Sequence, residues 1–252
     1  MNKTLIASVA LLALGTGVAE AADLPVKAPP PPVPVFSWTG FYIGANFGGA
    51  WAKNNWHETL FLMDFNNDNN GAFIGGGQIG GNYQIGSFVI GGEWDFDWAN
   101  NNNVATGVVP AVGTIVVTNN NHWITTLAAR FGFATDYWLF YGKAGGGWVG
   151  NNHLTVTNVA TGVSLTCGNF TNCGSNNGGW LLGVGVEYAF APNWSVKAEF
   201  DYLGLGNRTF VIPVTAPFLA GDALTSNSRN VQELKVGVNY LFNWGAPVAA
   251  RY

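Results

Sequence analysis

Between positions 194 and 203 apolar and polar residues alternate one for one. Trp194, Val196, Ala198, Phe200 and Tyr202 fall on one side of an extended chain, and Ser195, Lys197, Glu199 and Asp201 on the other. A period of two is what a β-strand imposes, because successive side chains leave opposite faces. The pattern recurs at strand length over residues 41–51, 72–83, 87–98, 122–134, 138–149, 180–190, 194–203 and 231–242. Phe88, Ile90, Trp94, Phe96 and Trp98 alternate with Glu93, Asp95 and Asp97. Leu234, Val236, Val238, Tyr240 and Phe242 likewise oppose Glu233, Lys235 and Asn239. Eight such segments of the roughly 9–11 residues needed by a tilted membrane strand predict an all-β protein.

The linkers alternate as well. Gln84-Ile-Gly86, Thr135-Asp-Tyr137 and Ala191-Pro-Asn193 are tight turns, whereas 52–71, 99–121, 150–179 and 204–230 are long and polar. Short turns at one end and long loops at the other describe an up-and-down transmembrane barrel with four long outer loops. The other architecture with this alternation is a soluble barrel with its apolar residues inside. Composition decides between them. Charged residues are 10% of the chain and aromatics 14%, so a soluble surface would lack the roughly 25% charge that soluble domains carry. The apolar faces therefore belong against lipid, and no apolar run after the first twenty residues reaches the ~18 residues of a spanning helix.

At the N-terminus, Lys3, the apolar stretch 5–14 and Ala19-Glu20-Ala21 have the order of a signal peptide. Cleavage is expected after Ala21, with Ala22 the next choice. Residues 22–37 carry a proline run that cannot join a strand ladder and reads as an extended periplasmic tether. The domain reading is thus signal peptide 1–21, tether 22–37, barrel 38–244 and C-terminal extension 245–252. Export places Cys167 and Cys173 in an oxidising compartment, where a disulfide at a loop tip is favoured over a metal site.

An eight-stranded barrel has room inside only for its own side chains. Glu93, Asp95, Glu187, Glu199, Asp201 and Glu233 are therefore expected to pair with Arg130, Lys143, Lys197 and Lys235 as a polar core. An ion path lined by the same charges is the alternative. The acid–base pairs have no nucleophile and base arrangement beside them, so no catalytic residues and no enzyme activity are assigned. Trp51, Trp98, Trp123, Trp148, Trp180 and Trp194, with Tyr83, Tyr137 and Tyr188, fall near strand ends and suit the two headgroup-level girdles. His57, His122 and His153 fall in or beside the outer loops without metal-ligand spacing, so no metal and no cofactor is predicted. A haem site there remains the sharper alternative. The asparagine tracts 66–70 and 100–103 read as solvated loop tips.

Lys235, Gly237, Tyr240 and Phe242 have the spacing of a C-terminal β-signal, which implies the barrel assembly machinery as a partner. With that signal, the segment Ala21-Ala-Asp-Leu-Pro, the proline run and Phe36-Ser-Trp-Thr-Gly-Phe-Tyr-Ile-Gly44 resemble the alphaproteobacterial outer-membrane immunogenic proteins. These are often filed as "porin family" and belong with the OmpA-like eight-stranded barrels. The resemblance covers nearly the whole mature chain and is weakest in the loops. It implies an envelope protein of the bacterial outer membrane that contacts the lipid bilayer and lipopolysaccharide, and a host or surface ligand through its loops. Haemin binding is implied by some relatives. The peptidoglycan-binding domain of full OmpA proteins is not among its features. A structural and surface-interaction barrel is the expected function, with a low-conductance pore and a haemin receptor as alternatives, and no nucleic acid is expected as partner.

Overall fold

A computed structural model describes residues 36–58, 62–66, 71–110, 112–170, 177–211 and 223–243. The segments expected to be signal peptide (with Ala21 and Ala22) and C-terminal extension, nearly all of the expected tether, and Cys173 lie outside these residues. Within them the chain is almost entirely strand. The elements are β1 (Gly40–Glu58), β2 (Met63–Asn66), β3 (Gly71–Ile85), β4 (Phe88–Val109), β5 (Gly113–Thr135) and β6 (Trp138–Asn158). They continue with β7 (Ser164–Thr166), a 3-10 turn at Cys167–Asn169, β8 (Asn177–Ala191), β9 (Trp194–Leu205), β10 (Arg208–Val211) and β11 (Ala223–Asn243).

Eight of these close into a ring in the order β1, β3, β4, β5, β6, β8, β9, β11, with β11 pairing back to β1. Every neighbour is antiparallel. The closing seam runs from Gly40 opposite Asn243 to Glu58 opposite Leu224, with one irregularity between Lys53 and Asn55. Closure matters because hydrocarbon offers no partner for a backbone N–H or C=O, and a ring leaves no edge unpaired. At the short-turn end, Gly86 sits at φ 62° and Asp136 at φ 50°. Glycine takes that left-handed conformation without steric cost, and aspartate tolerates it better than most residues.

The alternation sorts the barrel's two faces. Phe41, Ile43, Phe47, Phe73, Phe88, Trp94, Leu127, Phe131, Phe140, Leu182, Val184 and Leu234 are all exposed on the outside. A soluble protein rarely presents a contiguous apolar patch of this extent, whereas a bilayer requires it. Trp51, Trp98, Trp148 and Trp180 mark the long-loop end of that band, and Tyr83, Tyr137, Trp138 and Trp194 the short-turn end. Trp123 stacks on Phe96 at 6.2 Å, and Tyr188 packs on Trp138 at 4.6 Å. Trp94 lies between the girdles, and its indole N–H donates to Thr125 Oγ1 at 2.9 Å. The hydroxyl of Thr125 passes the bond on to the Asp95 carbonyl.

The strands do not stop at the outer girdle. β4 and β5 continue through an irregularity between Trp98 and Asn101 to the pair Val109–Gly113. β6 follows β5 outward and adds β7. On the opposite side, β1 and β11 run outward together and are flanked by β2 and β10. Residues 101–103 therefore pair with 119–121 inside a hairpin and do not form a loop tip. Asparagine has low intrinsic strand preference, so its local sequence signals a loop. Pairing against a second asparagine run outweighs that preference.

Candidate functional site

The barrel's interior is built in layers that each strand crosses in turn. From the short-turn end, β4 presents Val89, then Glu93, Asp95 and Asp97, then Ala99, all buried. β9 presents Ser195, Lys197, Glu199 and Asp201 before Leu203, and β11 presents Asn239, Lys235 and Glu233 before Val231. Below the charges lies an apolar layer of Trp38, Val89, Ala134, Leu139, Ala189 and Leu241, joined by the rings of Tyr42 and Tyr141. Above them lies a second, of Ala50, Ala52, Ile74, Ala99, Ile124, Ala128, Val149, Leu181, Leu203 and Val231. Trp38 comes from the segment preceding β1. Its backbone N–H donates to Gln84 Oε1 at 2.8 Å, while the Gln84 N–H donates to Thr39 Oγ1 at 3.0 Å.

All ten residues assigned to the polar core face this lumen and are buried. Arg130 on β5 reaches Glu187 Oε2 at 2.9 Å and Glu93 Oε2 at 3.3 Å. It also donates to the Tyr42 hydroxyl. Its guanidinium lies over the Tyr141 ring at 3.9 Å and near the Tyr42 ring at 5.3 Å. A delocalised, weakly hydrated cation between two aromatic faces and two carboxylates loses little by leaving water. Gly185 makes room for this stack, since a Cβ there would lie 2.4 Å from the Tyr141 ring.

Lys143 Nζ touches Glu199 at 2.7 Å, Asp201 at 3.0 Å, Asp95 at 3.3 Å and Glu93 at 3.4 Å. Lys197 Nζ lies 3.1 Å from Glu93 and 3.5 Å from Glu199. The oxygens of Glu93, Asp95 and Glu199 lie within 4.8 Å of one another, a grouping that could ligate a metal ion. The two ammonium groups stand among those oxygens and fill the role a cation would take. Lys235 completes the belt, 3.0 Å from Asp201 and 3.4 Å from both Asp97 and Glu233. Asp201 Oδ2 is shared by two ammonium groups, Lys143 Nζ and Lys235 Nζ, each 3.0 Å away.

The structure also brings into the belt residues that the sequence leaves outside it. Asp97 joins Lys235. Tyr42 and Tyr141 donate to Glu93 and Glu199, both at 2.8 Å. A chain of amides runs from Asn46 through Gln78 and Asn239 to Glu187, which also accepts from Ser195. The signal for all of them is their parity with the charged residues along each strand. Nothing in the sequence says which strands face each other across the lumen.

The other assigned residues are dispersed. Gly237 lies inside with Lys235, while Tyr240 packs edge-on to Trp194 and Phe242 on the outer wall. His57 Nδ1 and Asp64 Oδ1 are 2.8 Å apart across the β1–β2 hairpin. His122 is exposed on β5, a strand that does not neighbour β1. The Cys167–Cys173 pairing falls outside the described residues.

Beyond the rim, β4 to β7 enclose a third apolar cluster of Ala105, Val109, Ile115, Val117, Leu154, Val156, Leu165 and Phe170. Asn158 ties its outer end: the side-chain amide donates to the Val112 carbonyl at 2.6 Å, and Oδ1 accepts from the N–H groups of Ala160 and Thr161. Neither 99–121 nor 150–179 contains an Asp, Glu, Lys or Arg.

A closed antiparallel ring, an apolar outer wall between aromatic girdles and an ion-paired interior together define a transmembrane barrel of the bacterial outer membrane. The chain belongs to the family described as outer membrane protein beta-barrel domain, which it matches over residues 8–242. It is 32% identical over 256 residues to the 31 kDa outer-membrane immunogenic protein of Brucella melitensis, covering 96% of this chain and 100% of that one. To the 25 kDa outer-membrane immunogenic protein of Brucella canis it is 26% identical over 249 residues, covering 96% and 99%. Among solved structures it is similar to the outer membrane protein OprG of Pseudomonas aeruginosa. That match has a TM-score of 0.53 and 12% identity, over 82% of this chain and 98% of that one, a likeness of fold alone.

Proposed function

We propose that this protein is a structural and surface-interaction barrel that supports the integrity of the envelope and carries neither a transport path nor a catalytic site. The observation that supports this reading most is the layering of the lumen. A belt of mutually paired charges is capped by close-packed apolar layers on both sides. An ion entering would have to cross an apolar layer and then separate buried ion pairs, and each step costs several kcal/mol. Contact with the world outside then falls to the outer hairpins. The relatives in Brucella are named for immunogenicity, which fits outward-facing surfaces of this kind.

The lipid bilayer is the barrel's environment. Lipopolysaccharide around the outer girdle, the barrel assembly machinery during insertion and a surface or host ligand at the hairpins are the partners this reading assigns. Single-channel recording on the refolded protein in a planar bilayer tests it. Silence, or rare small openings, supports a plugged barrel. Steady conductance on the order of nanosiemens would require an open lumen and would replace this reading with transport.

A further inference from the structure

We infer that Lys235 is a closure lock: the cation that the last strand brings to the belt neutralises it only when β11 has met β1 in the register observed. Lys235 lies within 4.0 Å of five carboxylates. Glu199 at 3.6 Å and Asp201 at 3.0 Å stand on the adjacent β9, and Glu233 at 3.4 Å is on its own strand. Asp95 at 3.7 Å and Asp97 at 3.4 Å stand on β4, across the lumen. Between β11 and β4 around the ring lie β1 and β3, whose lumen faces carry no charge: Tyr42, Gly44, Asn46, Gly48, Ile74, Gly76, Gln78 and Asn82. Gly48 stands directly opposite Lys235 in the seam. At the level of the belt, the described residues of the seam therefore form no ion pair directly between β1 and β11. The electrostatic bond that spans it runs from β11 to β4.

Counting charges gives the consequence. The belt holds seven buried carboxylates, Glu93, Asp95, Asp97, Glu187, Glu199, Asp201 and Glu233, against four buried cations, Arg130, Lys143, Lys197 and Lys235. Without Lys235 the two ends of the chain would close around an even larger excess of carboxylates, in a place where unpaired charge is expensive. Register is specified by the same residue. A slip of one position turns Lys235 out into lipid, because side chains alternate faces. A slip of two brings Gly237 or Glu233 to its place, so the acids of β4 and β9 face no cation or a further acid. One register satisfies the belt. Lys235 is also the polar residue of the β-signal, which puts the closing check on the strand that the signal marks.

The test is a pair of cross-links in a Cys167→Ser, Cys173→Ser background. Ala45→Cys with Val238→Cys reports the β1–β11 seam, and Val186→Cys with Ala198→Cys reports the internal β8–β9 pair. After refolding into lipid vesicles, Lys235→Met should lower seam cross-linking by about tenfold or more, the scale of removing one partner from a buried ion pair. The β8–β9 cross-link should persist. Lys197→Met, a charge removed from β9, should leave the ratio of the two cross-links unchanged. If Lys235→Met prevents folding altogether, the variant that also carries Asp97→Asn and Glu233→Gln decides, because it removes the charge demand together with the cation. Recovery of the seam in that variant supports the lock. A seam that stays open there, or one that closes normally in Lys235→Met alone, overturns it.

Discussion

The lumen belt and the outer lobe are both cores, yet they are made from opposite materials. The belt is ionic: it holds four buried cations and seven buried carboxylates and almost no aliphatic side chains. The lobe formed by β4 to β7 has no formal charge over 99–121 and 150–179, and it is filled by Val, Ile, Leu and Phe. The difference follows from what lies on the other side of each wall. Around the barrel the outer face must be apolar for the lipid, so the alternation leaves the polar residues inside, where only mutual pairing can satisfy them. Outside the membrane water surrounds the sheet, and the usual arrangement returns, with apolar residues buried and Thr106, Thr155 and Thr157 on the other face. The same period-two strand thus changes which face it hides as it crosses the rim.

Replacement of Arg130 should show the largest effect. Arg130→Leu leaves Glu187 with no cation partner among the described residues, takes one of three cations from Glu93 and leaves the space between two tyrosines half filled, a loss of about 3–5 kcal/mol. Urea unfolding of the barrel in lipid vesicles should show it, and an unchanged midpoint would mean the belt is not what holds the barrel. Next comes Leu154→Ala in the lobe, at about 2–4 kcal/mol for a large-to-small change in a core. Its effect should be local: limited proteolysis should open the outer hairpins while the membrane-embedded strands stay protected. Loss of the barrel as well would show that lobe and belt form one cooperative unit.

Asn158→Ala removes one hydrogen bond to the Val112 carbonyl and the side-chain cap of the following turn, together worth about 1–2 kcal/mol. It should raise hydrogen exchange at residues 158–163 and leave Arg130 and its neighbours unaffected. The smallest effect should come from salt. Raising it to about 1 M shortens the screening length to a few ångströms in water, but the belt pairs are buried from solvent. Barrel stability should hold, and a fall that tracks ionic strength would place water among those pairs.

Much of the architecture was legible because the signal is periodic. The alternation in 194–203 and 231–242 gives strands, faces and the even count, and the short-turn, long-loop rhythm gives orientation. The reading failed where local preference and tertiary pairing disagree. Asn101 to Asn103 carry turn chemistry in isolation and become strand only because Asn119 to Asn121 lie opposite. Parity puts Tyr42 and Tyr141 on the lumen side, as found, but only the position of Arg130 between them makes them part of the belt.

The sequence by itself determined that this chain builds a barrel in lipid and that its charges lie inside. Both follow from composition and parity, which are properties of neighbours along the chain. It did not determine which charge meets which. Lys235 finds Asp97 138 positions away, and Arg130 finds Glu187 57 positions away. Those pairs depend on strand tilt, on the stagger of the ring and on where the seam closes. Stagger and closure are set by all eight strands together, so only the folded ring could decide them.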